Sequence, residues 1–293
     1  MKTILVIGSL NMDYTIYVDN FPKEGETILG NKRFIQPGGK GANQAAAIAK
    51  SGLVKCIFVA ARGNDSDGDN AEKKLSELGA ISKIKISKKS TGNATILVDK
   101  SSENKIIIIP GANYDLNPED IDVKLIENSD YVVLQNEIKE ETNEFVIKKA
   151  NEFGKTIIYN PAPFRKITSD IFKYVDFFMP NKIELSQYSK KESVEEGAKE
   201  MLKLGVKNLI VTLGTKGSVL YNNKEKIVVN ACKVKAIDTV AAGDTYVGYF
   251  ASALASGNTI MKSMEIASKA SSITVTRRGS LVSIPTGNEV IIN

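Results

Sequence analysis

Two aspartates, Asp238 and Asp244, lie six residues apart in the segment 238–245, Asp-Thr-Val-Ala-Ala-Gly-Asp-Thr, and mostly small side chains separate them. A helical pattern begins at about Asp244, so the amides of Ala241, Ala242 and Gly243 would lie at a helix N-terminus, which attracts anions. A carboxylate beside a bound anion can accept the proton of a hydroxyl group. Phosphoryl transfer to an alcohol needs this combination. An ordinary helix start with an acidic first turn is the alternative.

The glycine-rich segment 37–47, Pro-Gly-Gly-Lys-Gly-Ala-Asn-Gln-Ala-Ala-Ala, precedes a predicted helix. Its spacing matches neither the P-loop nor the dinucleotide-binding fingerprint. The paired glycines allow a ligand to approach the backbone, Lys40 supplies three donors, and Asn43 lies one turn into the helix. These groups suit a ligand with many hydroxyl groups. A tight turn with an incidental lysine is the alternative.

The composition excludes several kinds of chemistry. Histidine is absent from the 293 residues, which removes Ser–His and Cys–His nucleophile pairs and histidine-containing zinc sites. The net charge is only +5, and the most basic stretch, 73–89, has no interleaved aromatic residues. We therefore interpret that stretch as a helix end followed by a solvated strand edge, and we expect no nucleic-acid partner.

Cysteine usage and the N-terminus bear on location. Cys56 and Cys232 are the only cysteines, and each lies in an apolar segment. We expect two buried free thiols rather than a disulfide, which suits a reducing compartment. The apolar run near Met1 is too short for a signal peptide, and no stretch approaches the length of a membrane span. The sequence predicts a cytoplasmic protein with no membrane partner.

The elements that would position these residues alternate along the chain. Strands are expected at 3–8, 55–60, 131–135, 156–160, 177–181 and 208–213, and helices at 41–52, 66–79, 141–154, 192–205 and 259–279. This order predicts an α/β fold with a doubly wound, mostly parallel sheet flanked by helices. Ligands of such folds bind beyond the carboxyl ends of the strands. Polar residues that follow strands are Asn11, Asp13, Glu137, Asn181 and Glu184. Turn formation and helix capping are the alternative for each.

Two segments, 13–37 and 92–109, contain strand patterns and no helical pattern. We predict that they form a small, discontinuous β-sheet lid, with a hairpin turn at 101–104, while 1–12, 38–91 and 110–293 form the α/β core. Apolar residues alternate along the lid segments, namely Ile16, Val18, Ile28, Ile35, Ile96 and Val98. A lone small sheet would expose an apolar face, so we expect a homodimer that pairs two lids. Folding of the lid onto its own core is the alternative.

The order of the motifs resembles that of the ribokinases, in the PfkB-type carbohydrate kinase family, along the whole chain. The motifs are GSLNMD (8–13), GGKGANQAAA (38–47), GANYDL (111–116), NPAP (160–163), PNKIE (180–184), TLGTKG (212–217), DTVAAGDT (238–245) and VTRRGSLVSIP (275–285). The resemblance implies a ribokinase-like fold. It also implies an ATP-dependent enzyme that phosphorylates the 5-hydroxyl of D-ribose.

The resemblance also implies residue roles. Asp244 matches the catalytic base, and Ala241, Ala242 and Gly243 match the anion hole. Sugar-binding positions are matched by Asn11, Asp13, Gly39, Lys40, Asn43 and Glu137, together with Asp244. Nucleotide-binding positions are matched by Asn181, Thr212, Gly214 and Gly217, with Ser268 near the adenine. Glu184 matches an acidic residue associated with Mg²⁺. A potassium site is matched by Asp238, Val240, Thr274, Arg277, Gly279 and Ser283.

Ala241 stands where many family members have glycine. Ribokinases often have alanine there, so this departure favours that branch of the family. A kinase for deoxyribose, fructose or a nucleoside on the same fold stays open. A non-catalytic sugar-binding regulator is a further alternative, and such a protein is expected to lack the base or the anion hole.

Overall fold

The computed structural model describes residues 1–101 and 103–291. Strands and helices are numbered in chain order. The main sheet contains β1 (Thr3–Ile7), β4 (Lys55–Gly63), β5 (Ile81–Ser87), β8 (Tyr131–Gln135), β9 (Thr156–Asn160), β10 (Phe177–Phe178), β11 (Asn208–Thr212), β12 (Ser218–Tyr221) and β13 (Lys226–Val229). The small sheet contains β2 (Asn11–Tyr17), β3 (Lys32–Gly38), β6 (Gly92–Val98) and β7 (Asn104–Ile109). The helices are α1 (Lys40–Ser51), α2 (Ser66–Glu77), α3 (Val123–Glu127), α4 (Glu140–Glu152), α5 (Lys182–Ser189), α6 (Val194–Lys203), α7 (Ala242–Ala255), α8 (Ile260–Thr274) and α9 (Gly287–Ile291).

The main sheet has the strand order β13-β12-β11-β10-β9-β8-β1-β4-β5. Seven strands, from β11 to β5, pair in parallel, and β12 and β13 add antiparallel pairs at one edge. The central strands are continuous apolar runs because both of their faces are covered. One core contains side chains from α1, α2, α7 and α8, and the other contains side chains from α3 to α6. The predicted α/β class is confirmed.

The small sheet is separate from the main sheet and has the order β3-β2-β6-β7. Strand β2 pairs antiparallel with β3 and parallel with β6, and β6 pairs antiparallel with β7. The two segments that lack helical patterns therefore do form a second sheet. The turn predicted at 101–104 includes Ser102, which lies outside the described residues.

Two details differ from the expectations. The strand expected at 177–181 is regular only over Phe177–Phe178, although a bridge between Asn181 and Thr212 extends its pairing. Pro180 has no amide hydrogen to donate to a ladder, which accounts for the interruption. Cys56 is buried as predicted, but the prediction for Cys232 is wrong, because this thiol is exposed. The chain leaves the sheet after β13, so the apolar neighbours of Cys232 line a cavity instead of a core.

Close packing of α1 against α7 brings two distant parts of the chain together. A Cβ atom added to Gly248 in α7 would lie 2.5 Å from the Cβ of Ala47 and 2.9 Å from the carbonyl oxygen of Gln44, both in α1. Only glycine permits this approach. The contact sets the first turns of the two helices side by side. Within the part of the chain that the structure describes, no helix combines the length and apolarity needed to cross a membrane.

Candidate active site

The site begins where the strand order of the main sheet changes direction along the chain. Strand β1 lies between β4 and β8, and open α/β sheets bind ligands at such a point. Ser9 follows β1 and Glu137 follows β8, and the Ser9 hydroxyl donates to Glu137 Oε2 at 2.5 Å. The amide of Lys40 donates to the same oxygen at 2.9 Å. The carboxylate of Glu137 therefore joins the ends of two strands to the start of α1.

The glycine-rich segment is shaped by close contacts. A Cβ atom at Gly38 would lie 1.9 Å from Asp13 Oδ2, and one at Gly41 would lie 2.5 Å from the amide nitrogen of Ser9. Gly39 has a φ of 90°, which L-residues rarely adopt. The glycines thus have a structural function in the turn, and the same turn brings Lys40 close to the carboxylates of the site.

Asp244 lies in the first turn of α7 and is buried, with 6% of its surface exposed. Asn43 Nδ2 donates to Asp244 Oδ2 at 2.9 Å, and Gln44 Nε2 donates to Asp244 Oδ1 at 3.1 Å. The packing of α1 on α7 provides these two amide donors from consecutive residues. Asn43 Oδ1 is buried and has no hydrogen-bond partner among the described residues, so this acceptor is available to a ligand hydroxyl.

Four acidic side chains surround one lysine in this pocket. Burial, together with the carboxylates of Glu137 and Asp244, raises the pKa of Asp13 to about 7, and Lys40 opposes this shift. Burial acts to lower the pKa of Lys40, but Asp244, Glu137, Glu184 and Asp13 hold that pKa above its ordinary value. Lys40 is therefore the cation that balances the carboxylates.

Two predicted sugar-binding residues, Asn11 and Asp13, lie at the start of β2. Asn11 is buried, and its Oδ1 accepts a hydrogen bond from Asn113 Nδ2 at 2.7 Å. Asn113 Oδ1 in turn accepts from the amide of Leu10 at 2.9 Å. Asp13, two residues further along β2, packs against Gly38. The small sheet therefore contributes an acidic side chain to the pocket.

A cavity of about 440 Å³ adjoins the start of α7. Four predicted nucleotide-binding residues, Thr212, Gly214, Gly217 and Ser268, are among those that line it, with Ala242, Gly243 and Cys232. The structure brings these positions together from β11, the turn between β11 and β12, α8 and the start of α7. Asn181, the fifth, is not among the lining residues and instead caps α5, although it bridges to Thr212.

The backbone at the start of α7 differs from an ordinary helix start. Ala241, the N-cap residue, has a φ of 59° and a ψ of 5°, in the left-handed region. The amide of Ala242 donates to the carbonyl of Thr239 at 3.3 Å, so it is already paired. Gly243 lines the cavity, and a Cβ atom there would have no heavy atom within 4 Å. The helix N-terminus therefore opens towards the cavity at Gly243.

Asn181 and Glu184 cap α5 reciprocally. Asn181 Oδ1 accepts from the amide of Glu184, and Glu184 Oε2 accepts from the amide of Asn181, both at 2.8 Å. Burial raises the pKa of Glu184 above its ordinary value, although the Asn181 bond and Lys40 oppose this shift. In the described ranges, no group of three or more histidine, cysteine, aspartate and glutamate side chains could hold a metal ion.

The predicted cation residues lie in two adjacent loops. Asp238 Oδ1 accepts from the amide of Val240, and Asp238 Oδ2 accepts from the amide of Gly279, both at 3.0 Å. The amides of Ile237 and Asp238 donate to the carbonyl of Val275. Each carboxylate oxygen of Asp238 keeps a further lone pair, which fits an oxygen-liganded cation.

Thr274, Arg277 and Ser283 have other partners in these loops. The Thr274 hydroxyl donates to Thr245 Oγ1 at 3.1 Å, Arg277 forms an ion pair with Glu289, and the Ser283 hydroxyl donates to the carbonyl of Ser280 at 2.7 Å. Their backbone carbonyls, rather than these side chains, are the groups to consider as cation ligands.

Sequence reasoning missed several polar residues of the site. Ser9, Gln44 and Asn113 make the contacts described above, and Gln135 and Asn160 hydrogen-bond to Gln44. All of them except Gln135 lie within motifs identified in the sequence, but the motifs gave no role to these particular side chains. Their partners are distant in sequence, so only the fold shows what they contact.

The chain is similar to known proteins in sequence and in structure over nearly its whole length. A family profile described as "pfkB family carbohydrate kinase" matches residues 1–287. A ribokinase of Schizosaccharomyces pombe is 36% identical, over 99% of this chain and 97% of that protein. Among solved structures, a ribokinase of Thermotoga maritima is 41% identical with a TM-score of 0.93, covering 99% of this chain and 98% of that one. A ribokinase of Arabidopsis thaliana complexed with ribose and ATP is 31% identical with a TM-score of 0.91, covering 99% and 97%.

Proposed function

Because the chain belongs to the pfkB family of carbohydrate kinases, we propose that it is an ATP-dependent ribokinase that converts D-ribose to D-ribose 5-phosphate. The observation that carries the proposal is one continuous site. A pocket lined by carboxylates, Lys40 and Asn43 lies beside Asp244, and Asp244 is next to Gly243, at the edge of the 440 Å³ cavity.

In the proposed complex, the sugar occupies the pocket beneath the small sheet. The carboxylates of Asp13 and Glu137 accept hydrogen bonds from sugar hydroxyls. Lys40 donates hydrogen bonds to the sugar, and the side-chain oxygen of Asn43 accepts one. Asn43 Oδ1 supports this arrangement because it is a buried acceptor that lacks a partner among the described residues. Asn11 and Gly39 shape the wall of the pocket.

Asp244 takes the proton from the attacking hydroxyl while the transferring phosphoryl group lies at the start of α7. The positive end of the helix dipole and the backbone at 241–243 stabilise the negative charge of that group. Since the amide of Ala242 is bonded to Thr239, its use as a donor requires the 239–242 turn to open. The γ-phosphate of ATP reaches this point from the cavity, where Thr212, Gly214, Gly217 and Ser268 contact the nucleotide and Asn181 lies nearby.

Mg²⁺ fits the nucleotide side of the site, where Glu184 would hold it together with the phosphates. Mg²⁺ usually binds through one or two carboxylates plus substrate phosphates, so this role does not need a group of three or more ligand side chains, which the described residues do not provide. When bound, the ion neutralises charge on the phosphates. K⁺ fits the two loops around Asp238, with the carbonyl oxygens of Val240, Thr274, Arg277, Gly279 and Ser283 as further ligands.

The small sheet, at 13–37 and 92–109, acts as a lid over the core formed by 1–12, 38–91 and 110–293, and lid closure excludes water from the transfer step. A homodimer through this sheet is also part of the proposal. The cytoplasmic location expected from the cysteines stays a prediction.

An ADP-release assay over a panel of sugars tests the proposal. We expect D-ribose to give a higher kcat/KM than 2-deoxyribose, fructose or adenosine, and K⁺ to give more activity than Na⁺. If another sugar is preferred, the proposed substrate is wrong but the proposed kinase activity still holds. Ribose binding by calorimetry without any ADP release would favour the non-catalytic regulator instead.

A further inference from the structure

A chain of buried side-chain amides connects the interior of the protein to Asp244. Gln135 Nε2 donates to Gln44 Oε1 at 2.8 Å, and Gln44 Nε2 donates to Asp244 Oδ1 and to Asn160 Oδ1, both at 3.1 Å. Gln44 and Gln135 have no exposed surface, and Asn160 is 8% exposed. Gln44 therefore contacts the carboxylate from behind, on the side away from the ligand pocket.

A hydrogen bond to the backbone determines how these side-chain amides are oriented. Asn160 Nδ2 donates to the carbonyl of Met179 at 2.8 Å, so its Oδ1 must face Gln44. Gln44 then has to present its amino group to Asn160 and to Asp244, because the flipped amide would place oxygen against oxygen at both contacts. Gln135 completes the orientation by donating to Gln44 Oε1.

This orientation is retained although it leaves a buried acceptor unpaired. Gln135 Oε1 has no hydrogen-bond partner among the described residues. It packs against Gly8, where an added Cβ atom would lie only 1.9 Å from this oxygen. Leaving a buried acceptor unpaired is unfavourable, because the acceptor loses its hydrogen bonds to water and gains none in the protein. The network therefore keeps the hydrogen bond from Gln44 Nε2 to Asp244, although Gln135 Oε1 stays unpaired.

We propose that Gln44 is a positioning residue for phosphoryl transfer, which fixes the rotation of the Asp244 carboxylate and is itself oriented by Asn160 and Gln135. Asn43 and Gln44 hold one carboxylate oxygen each, so the group cannot turn about its Cβ–Cγ bond without breaking a hydrogen bond. The other charged groups that interact with Asp244 are Asp13, Lys40 and Glu184, and Glu137 interacts with Asp13 and Lys40. This inference rests on the proposed role of Asp244 as the base.

The test is Gln44→Met, which keeps the length of the side chain and removes both donors. Loss of an interaction that orients a reacting group lowers turnover by about 10- to 100-fold, and we expect that loss in kcat. Ribose affinity measured by calorimetry should stay within about threefold, because Gln44 does not reach the pocket.

A second variant and a control separate positioning from folding. Gln135→Met removes only the group that orients Gln44, so we expect a smaller fall in kcat of about three- to tenfold. Ser252→Ala removes a buried hydrogen bond to the carbonyl of Gly248, two turns further along α7, and should leave kcat unchanged. A folded Gln44→Met enzyme with kcat within about threefold of the parent protein would overturn the proposal.

A crystal structure of Gln44→Met gives a readout that does not need turnover. We expect the Asp244 carboxylate to be rotated or to occupy two conformers. A single carboxylate orientation identical to that of the parent protein would contradict the inference, even if the parent protein phosphorylated none of the sugars. Inactivity of the parent protein would instead count against the proposed function.

Discussion

Asp13 and Asp244 are buried in the same pocket but have different surroundings. Two side-chain amides donate to the carboxylate of Asp244. Asp13 faces Glu137 and Asp244, and burial with these charges raises its pKa to about 7. The charged carboxylate of Asp13 therefore destabilises the folded protein when no ligand is bound. Destabilising side chains of this kind are common in sites that bind ligands.

Asp13→Asn should therefore stabilise the unliganded protein in a pH-dependent way. The folded-state pKa of Asp13, about 7, lies above the ordinary value of 3.8. The folded protein thus holds the proton more tightly, and the contribution of Asp13 to stability falls as pH rises from about 4 to 7. We expect the gain in free energy of unfolding to be about 2 kcal/mol larger at pH 8 than at pH 5.

Urea unfolding of both proteins at the two pH values measures this difference, and ribose binding by the variant should be weakened. An equal gain at pH 5 and pH 8 would show that ionisation of Asp13 is not the cause.

At the scale of elements, the start of α7 has an unusual distribution of small residues. Ala241 adopts a left-handed conformation that favours glycine, while Gly243 occupies an ordinary helical position beside open space. Helix stability alone would favour the opposite arrangement. The lack of a side chain at Gly243 is therefore best explained by access of a ligand to the backbone.

Gly243→Ala tests this explanation. Alanine in the helix should leave the free energy of unfolding unchanged or raise it by up to about 1 kcal/mol. The added methyl group enters the space where the phosphoryl group is proposed to lie, so we expect kcat to fall by at least about tenfold. Thermal unfolding and the ADP-release assay measure the two effects.

Lys190→Gly is the matched control, because Lys190 ends α5 with a φ of 56° and lies outside the proposed site. It relaxes the left-handed residue, so stability should rise slightly and kcat should stay within about threefold. If Gly243→Ala loses stability and keeps its activity, the proposed access to the backbone at Gly243 is wrong.

The alternation of apolar strands with helical patterns was sufficient to predict the fold class, because buried parallel strands have a distinctive composition. The sequence pattern does not predict the end of the strand expected at 177–181, because Pro180 interrupts the hydrogen-bond ladder after Phe178. The predicted burial of Cys232 is wrong because residues of an apolar segment can line a cavity as well as a core. Gln44 contacts residues 116 and 200 positions away, so no local pattern could indicate its role.

At the scale of the whole molecule, the small sheet leaves apolar surface exposed. Strand β7 has four consecutive isoleucines at 106–109, each between 43% and 63% exposed, and Phe34 and Ile35 of β3 are also exposed. Strand pairing places Ile106 and Ile108 opposite Ile96 and Ala94, on the face that carries Asp13. Apolar groups concentrated on one small sheet are typical of an association surface.

Ile108→Lys should therefore weaken the proposed homodimer. A lysine at the centre of an apolar interface has to lose its hydration, so we expect the dissociation constant to rise by at least about tenfold. Ile81→Lys at the edge of the main sheet is the control, since both isoleucines are 43% exposed. Analytical ultracentrifugation measures the association.

The parent protein should sediment with about twice the chain mass of 31.8 kDa at micromolar concentration. A parent protein that is monomeric under these conditions, or equal effects of the two lysine variants, would contradict a dimer through the small sheet.

The central claim is that Asp244 accepts the proton of the sugar hydroxyl, and Asp244→Asn tests it most directly. The substitution keeps the size of the side chain and an acceptor for Asn43 while removing the base. We predict that kcat falls by about 10²- to 10⁴-fold while ribose affinity, measured by calorimetry, stays within about threefold. A kcat close to that of the parent protein, with ribose bound normally, would contradict the account.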